Sequence, residues 1–371
     1  MNQATLRYVL RDTCAPEDRT KWAPYGAGGA WRRRQIDDVL QRGGLAPCDM
    51  EPVARLPLLR KIKLTAKTLS RFGTRITWSR VSFASAVYSY AFYEHNMSRK
   101  NLSRAIILEW GSDPIAFSAL SDAGFKTVVS LMAIGSLWRE RPSTTTGPYP
   151  HMYLTEIDNL RRADAVFCIS REEQWLLANL GIRAGYLPYF PDKKRETSLL
   201  LERAARATDI RSPRPEFLIC ATRGNTDTVE SFREQVEWIR QAVPEDGPIF
   251  HVTGNQTESV REVWNDRRFV FHGTCPEETF ISIKRRCRAI CLHSQKGLGA
   301  VTRIPDMLLA GLVVISNGAA ARSYFNMNGV HVYDTRREFA ALLQAELPIP
   351  PAPERPVELE DEFLACLKKL L

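Results

Sequence analysis

The sequence predicts an α/β protein built from two doubly wound, parallel-sheet domains. Three observations predict it. Short apolar runs alternate with amphipathic helical stretches along most of the chain. The alternation stops once, at the polar, proline-containing residues 191–215, and then restarts. In the second series the apolar runs end in glycine or polar residues, which is where ligand-binding loops follow the strands of such sheets. A chain of 371 residues is long enough for two domains with separate cores.

The elements follow in order. Residues 6–10 (LRYVL) read as a first strand, and the loop 24–30 (PYGAGGA) leads into a helix from Trp31 to about Arg42, stopped by Gly43 and Gly44. Residues 57–72 place Leu58, Leu59, Ile62, Leu69 and Phe72 near helical spacing against a basic face. Strands are expected at 105–108, 127–134, 165–169 and 184–187, with helices at 114–123 and 153–162. Ser170 and Glu173 form a capping-box pattern that opens a helix stopping at Gly181. Residues 191–215 read as the linker. The second series has strands at 217–220, 249–252, 269–271, 289–292 and 313–316, with helices at 229–243, 277–287, 304–310 and 338–344. A proline-rich spacer, 348–356, precedes an amphipathic helix at 358–371. The expected organisation is 1–190, a linker at 191–215, 216–345, and a tail at 346–371 whose helix crosses back to the N-terminal domain.

Composition narrows the class. Hydrophobic residues make up 44% and charged residues 25%, the balance of a globular protein. No apolar run approaches the roughly 18 to 20 residues of a membrane span, and the N-terminus lacks the apolar core of a secretory signal, so the cytoplasm is expected. The eight cysteines are scattered with no CxxC pair. Cys287, Cys291 and His293 cluster in sequence but match no usual zinc spacing, and no metal is expected. The net charge of +9 lies entirely in residues 1–190. Between Pro52 and Tyr93 there is no acidic residue, while Arg55, Arg60, Lys61, Lys63, Lys67, Arg71, Arg75 and Arg80 all fall there. Such a block fits an anionic membrane surface or nucleic acid. Aromatic residues are not interleaved with the basic run and no recognition motif stands beside it, which argues against nucleic acid.

The strand ends of the second half carry the chemistry. Cys220 is followed by Ala-Thr-Arg223-Gly224-Asn225, Val252 by Thr-Gly254-Asn255, Phe271 by His272-Gly273-Thr274, and Leu292 by His293-Ser-Gln-Lys296-Gly297-Leu-Gly299. Glycine lets a backbone approach a phosphate closely, and the next helix offers it free N–H groups. One such glycine is usually a turn; four in order form a pattern. The segment 272–317, HGTCPEETFISIKRRCRAICLHSQKGLGAVTRIPDMLLAGLVVISN, resembles the donor-domain signature of GT-B glycosyltransferases, most closely that of family 4.

The resemblance implies two Rossmann-like domains facing across a cleft. It implies transfer of a glycosyl group from a nucleoside-diphosphate sugar to an acceptor hydroxyl with retention of configuration. Asp306 takes the place of the family's ribose-binding glutamate, and Arg223 that of the arginine that neutralises the diphosphate. Gly28 and Gly29 resemble the glycine loop that meets the donor phosphates. Gly224, Asn225, Gly254, Asn255, Gly273, Lys296, Gly297, Gly299, Thr302 and Arg303 complete the expected donor contacts. His151 and Asp113 are the polar candidates for acceptor contact. Thr228 stands where the family has a lysine and Leu298 where it has its first glutamate; Arg303 or Lys296 would supply the second cation. No cofactor is implied beyond the donor itself. Expected partners are that donor, a lipid-linked or glycan acceptor, and an anionic membrane met through residues 55–80 on the inner face of the cytoplasmic membrane. Bacterial cell-surface polysaccharide, lipopolysaccharide or glycolipid synthesis is the expected setting. The rivals on the same fold are a nucleotide-sugar 2-epimerase and a non-catalytic assembly subunit.

Overall fold

The computed structural model describes residues 5–9, 28–49, 58–72, 105–109, 124–139, 150–206, 214–221, 226–254 and 266–371, with single residues at 91, 95, 117, 120, 121 and 257. The chain divides into two compact units. Among the described residues, the first holds 5–9, 39–187 and 357–371, and the second holds 28–38 and 188–356.

In the first unit, β1 (Thr5–Val9), β2 (Ala46–Asp49), β3 (Ala105–Leu108), β4 (Lys126–Leu131), β5 (Ala165–Cys168) and β6 (Gly185–Tyr186) form one parallel sheet. Its order is β2-β1-β3-β4-β5-β6. The helices are α1 (Gly28–Arg42), within which the division between units falls, then α2 (Leu58–Phe72), α3 (Pro150–Arg162) and α4 (Arg171–Asn179). Strand alternation sorts the core. Ile106, Leu108, Val129, Leu131, Val166 and Cys168 turn to one face, where Leu64 of α2, Ile157 and Leu160 of α3 and Leu177 of α4 cover them. Phe167 turns the other way and meets Phe363 edge-on at 4.9 Å. Phe363 belongs to the C-terminal helix α11 (Val357–Leu370), which is also held by Arg42 to Glu360 at 2.9 Å and to Asp361 at 3.0 Å.

Helix α4 opens as the sequence indicates, with Ser170 Oγ accepting from the Glu173 N–H at 3.2 Å. The return half of the box differs. Glu173 is buried and its Oε1 accepts from the Ile134 N–H at 3.2 Å, so it pins the loop after β4.

The second unit repeats the plan in Rossmann order. Its strands are β7 (Glu216–Cys220), β8 (Ile249–Thr253), β9 (Phe269–Gly273), β10 (Ala289–Leu292), β11 (Val313–Asn317) and β12 (Val330–Tyr333). They lie β9-β8-β7-β10-β11-β12, all parallel, so the winding direction reverses between β7 and β10. Phe217, Ile219, Phe250, Val252, Cys291, Val313 and Ile315 face α6 (Thr226–Ala242) and α10 (Arg336–Gln344), and the short α9 (Gly318–Ala321) follows β11. Leu218, Ile290, Leu292 and Val314 face α7 (Glu277–Arg286) and α8 (Arg303–Leu309). Cys287 and Cys291 therefore enter different core clusters and do not converge.

Residues 193–206, read from sequence as part of a linker, form α5 (Lys193–Arg206). The reason lies in what that helix meets. Arg206 is buried and donates to the carbonyls of Lys284, Arg285, Cys287 and Arg288, at and just beyond the end of α7, and to that of Gly311. Glu202 pairs with Lys284, and Leu199 packs on Phe190, Leu309 and Ala310. Two of the four edge strands, β2 and β12, also go beyond the sequence reading. Both are four residues long, and β2 (APCD) carries a proline, which an edge strand tolerates because one side needs no ladder bonds. Among the described residues no helix is long and apolar enough to cross a membrane.

Candidate functional site

The carboxyl ends of β7 and β10 flank the point where the winding of the second sheet reverses. In open parallel sheets that is where a crevice for ligand opens. Several features of this unit converge there.

Gly254 follows β8 with φ +132, and its N–H donates to the Gly273 carbonyl at 2.9 Å. A Cβ at this position would lie 1.6 Å from the Ala221 carbonyl oxygen. The Ala221 N–H in turn donates to the Thr253 carbonyl at 2.9 Å. Glycine is thus required here by backbone-to-backbone approach. Gly273, closing β9, has φ +60, and Pro276, Glu277 and Glu278 follow as α7 begins. Two acids in that first turn oppose an anion at this helix end.

The loop after β10 is held by neutral groups. The Ser294 N–H donates to Asn317 Oδ1 at 3.0 Å, and Asn317 Nδ2 returns to the Ser294 carbonyl at 2.7 Å. The Gln295 N–H donates to Ser231 Oγ at 3.0 Å. Gly297 packs against Arg322, where a Cβ would come within 2.4 Å of the arginine Cδ. Gly299 is buried with φ +62, a conformation that favours glycine. Thr302 stands before α8 without a side-chain capping bond, and Arg303, its first residue, donates from Nη1 to the Cys220 carbonyl at 3.3 Å. Arg303 therefore bridges the loop after β10 to the end of β7. With Lys296 and Arg322 it gives this glycine-rich loop three cations.

Asp306, to which the resemblance gives the ribose contact, has protein partners of its own. It is buried on α8, with Oδ1 accepting from the Tyr189 hydroxyl at 3.1 Å and Oδ2 accepting from Arg195 Nε at 2.8 Å. Arg195 Nη2 approaches the same oxygen at 2.7 Å. Arg195 lies on α5 and its guanidinium sits 3.8 Å over the Trp31 ring. Burial pushes the Asp306 carboxyl above its ordinary range, against the downward pull of Arg195 and Tyr189. Burial lowers the Arg195 guanidinium, but the Asp306 charge outweighs it and holds Arg195 protonated. Both oxygens of Asp306 thus serve protein donors, one of them from the segment read as a linker.

Gly28 and Gly29 open α1 instead of preceding it. Arg223, Gly224, Asn225, Asn255 and Asp113 lie outside the described residues, as does the side chain of His151, which falls on α3. The structure adds Arg322, Asn317, Ser231, Tyr189, Arg195 and Trp31 to the groups at or behind the site. Asn317 closes β11 and caps the turn after it, accepting from the Ala320 N–H at 3.2 Å, so an asparagine following an apolar strand was the one sequence signal available.

No protein-family model matches the sequence, and no curated protein matches it either. Solved structures do. Sucrose-phosphate synthase from Thermosynechococcus elongatus superposes with a TM-score of 0.62 at 12% identity, covering 100% of this chain and 95% of that one. HepE of Anabaena, solved with UDP and glucose, has a TM-score of 0.56 at 12% identity, covering 99% and 100%. The UDP-GlcNAc 2-epimerase of Methanocaldococcus jannaschii, solved with UDP-GlcNAc and UDP, gives 0.52 at 9% identity, covering 99% of each chain. The likeness runs from end to end and is one of fold: the chain has the GT-B fold of nucleotide-sugar glycosyltransferases.

Proposed function

We propose that this protein is a glycosyltransferase that moves a sugar from a nucleoside-diphosphate sugar to an acceptor hydroxyl, with retention at the anomeric carbon. The observation that carries this reading is Arg303 reaching across to the end of β7, beside a loop that also bears Lys296, Gly297 and Gly299. A departing diphosphate needs fixed positive charge and close backbone approach, and this loop offers both. The UDP and glucose bound by HepE, a protein of the same fold, support a nucleotide-sugar donor. Arg223 is the proposed further cation.

The test is a thermal-shift comparison of UDP, GDP, dTDP and CMP. A nucleotide that binds only the folded protein raises its apparent stability by mass action. One of the four should raise Tm, and Arg303→Ala should cut that rise by half or more. An undiminished rise in the variant removes Arg303 from the site, and no rise with any nucleotide removes the donor reading. A second reading, a nucleotide-sugar-binding subunit without turnover, is favoured by the commitment of Asp306 to Arg195 and by Leu298 in place of a carboxylate. Product formation from the stabilising nucleotide's sugar conjugate separates the two. Incubation with the donor alone detects 2-epimerase turnover.

The acceptor is proposed to be lipid-linked or glycan, met at the inner face of a bacterial cytoplasmic membrane during polysaccharide, lipopolysaccharide or glycolipid synthesis. In support, α2 turns Leu59 (82% exposed), Ile62 (57% exposed) and Lys63 outward while Leu64 is buried. Apolar and basic groups on one outer helix face suit an anionic bilayer. The protein should co-sediment with anionic but not neutral liposomes, and changing Lys61, Lys63 and Lys67 to Glu should abolish this. Equal binding to neutral liposomes would exclude it.

A further inference from the structure

At the carboxyl ends of β10, β11 and β12, beside α6, the second unit contains a cavity of about 440 Å³. That size lies within the usual range for small-ligand sites. Its chemistry differs from that of the cationic loop. One side is aromatic: Trp238 meets His293 at 5.2 Å and Tyr333 at 5.8 Å between ring centroids, and His293 stacks on Tyr333 at 6.0 Å with planes 18° apart. Tyr333 is 1% exposed and the His293 side chain 3%, so the ring that offers its surface to the cavity is the half-buried Trp238, which the other two support.

Hydrogen bonds hold that wall in place. The Tyr333 hydroxyl lies 2.9 Å from His293 Nδ1 and 3.2 Å from the Leu292 carbonyl, and His293 Nε2 lies 3.3 Å from Glu234. The Gln295 amide donates to the same Glu234 carboxylate at 2.9 Å. With neutral histidine, Nε2–H donates to Glu234, and the single phenol proton serves either Nδ1 or the Leu292 carbonyl. The rim carries the carboxylates of Glu234 and Asp334 and the amide of Gln295. No lysine or arginine stands among the described lining residues. A phosphate here would be repelled by two carboxylates and meet no counter-charge among the described lining residues.

An apolar wall bordered by hydrogen-bond acceptors and an amide is complementary to a pyranose. Its C–H face can lie on the indole while its hydroxyls donate to the carboxylates. We propose that this cavity, which shares His293, Ser294 and Gln295 with the loop after β10 but is not lined by Lys296, Gly297, Gly299 or Arg303, is a saccharide-binding site that seats a neutral sugar ring against Trp238. It would give the protein a hold on a glycan whether or not the donor reading is correct.

Saturation-transfer NMR on the full chain tests this, with glucose, galactose, mannose, N-acetylglucosamine, maltose and cellobiose as separate probes and choline and inorganic phosphate as controls. At least one saccharide should receive saturation on its ring protons. Trp238→Ala should abolish the signal, and Asp334→Ala should weaken binding about tenfold, while the thermal shift given by the stabilising nucleotide stays unchanged in both. Asp334 is exposed, so its variant remains decisive if Trp238→Ala does not fold. Saturation of choline alone, of no saccharide, or displacement of the saccharide by phosphate or nucleotide would overturn the proposal. A saccharide signal with no nucleotide shift would instead leave this site standing and sink the donor reading.

Discussion

Two loops at the carboxyl ends of parallel strands, one in each unit, solve the same backbone problem with opposite charge. After β4 in the first unit, consecutive N–H groups converge on buried carboxylates. Ile134 donates to Glu173 at 3.2 Å, Gly135 to Glu156 at 3.1 Å and Ser136 to Glu156 at 2.7 Å. Glu156 is fully buried. Such a row of N–H groups is an anion site by construction, and this one is filled by the chain itself. After β10 in the second unit, the pins are the neutral Ser231 and Asn317, and the flanking charges are Lys296, Arg303 and Arg322. Shared topology therefore does not mean shared anchoring: the first loop is held by the chain's own carboxylates, and the second by neutral side chains with Lys296, Arg303 and Arg322 beside it.

Emptying the first loop should give an effect as large as any. Glu156→Ala strands the buried Ser136 N–H and the half-buried Gly135 N–H, a loss of about 3 kcal/mol in urea unfolding. Glu156→Gln retains an acceptor and should lose less than half of that. If the comparison holds, phosphate should stabilise the alanine variant more than it stabilises the parent. An alanine variant as stable as the parent would show that the N–H groups find water instead. Next comes the pair behind the second loop. Asp306→Asn leaves Arg195 without its counter-charge and should cost about 3 kcal/mol. Arg195→Ala leaves a buried carboxyl already pushed upward by burial. A carboxyl whose folded pKa exceeds its unfolded value favours folding below the unfolded pKa and loses that contribution as pH rises through the folded one. The deficit of Arg195→Ala should therefore shrink between pH 8 and pH 5, while that of Asp306→Asn should not.

How far each loop was legible follows from where its partners lie. Strand and helix alternation revealed the central strands of both sheets, because buried parallel strands read as continuous apolar runs. It did not reveal β2 and β12, where half-exposed edges allow APCD and VHVY. The glycines of the second loop were visible as motif, and so was Asp306 as an acid opening a helix. Its partner Arg195 lies 111 residues away in a charged stretch whose helical face, with Leu199 and Arg206 buried, has meaning only against α7 and α8. Likewise Ser170 and Glu173 carry the local signal of a capping box, yet Glu173 has a stronger use 39 residues away. Local chemistry was readable, and long-range ion pairs were not.

The smallest predicted effect is a pH dependence that belongs to the second unit. His251 Nε2 lies 2.8 Å from Glu216, and its Nδ1 lies 2.9 Å from His272 Nε2, with Arg286 3.7 Å from the same glutamate. Burial lowers the His251 pKa, with Glu216 opposing and Arg286 assisting. Burial lowers that of His272, and His251 and Arg286 lower it further. Burial lowers that of His293, with Glu234 opposing. A histidine whose folded pKa lies below the unfolded value of about 6.5 binds its proton later in the native state. Its contribution is full above pH 6.5 and is lost as pH falls toward the folded pKa. Unfolding followed by hydrogen exchange should show β8 and β9 losing protection between pH 7 and pH 5 while β3 and β4 keep theirs. His272→Gln removes one titrating ring and the repulsion between the two imidazoliums, so it should flatten that loss. An unchanged slope in the variant would assign the acid sensitivity to other groups and leave the two units alike in this respect.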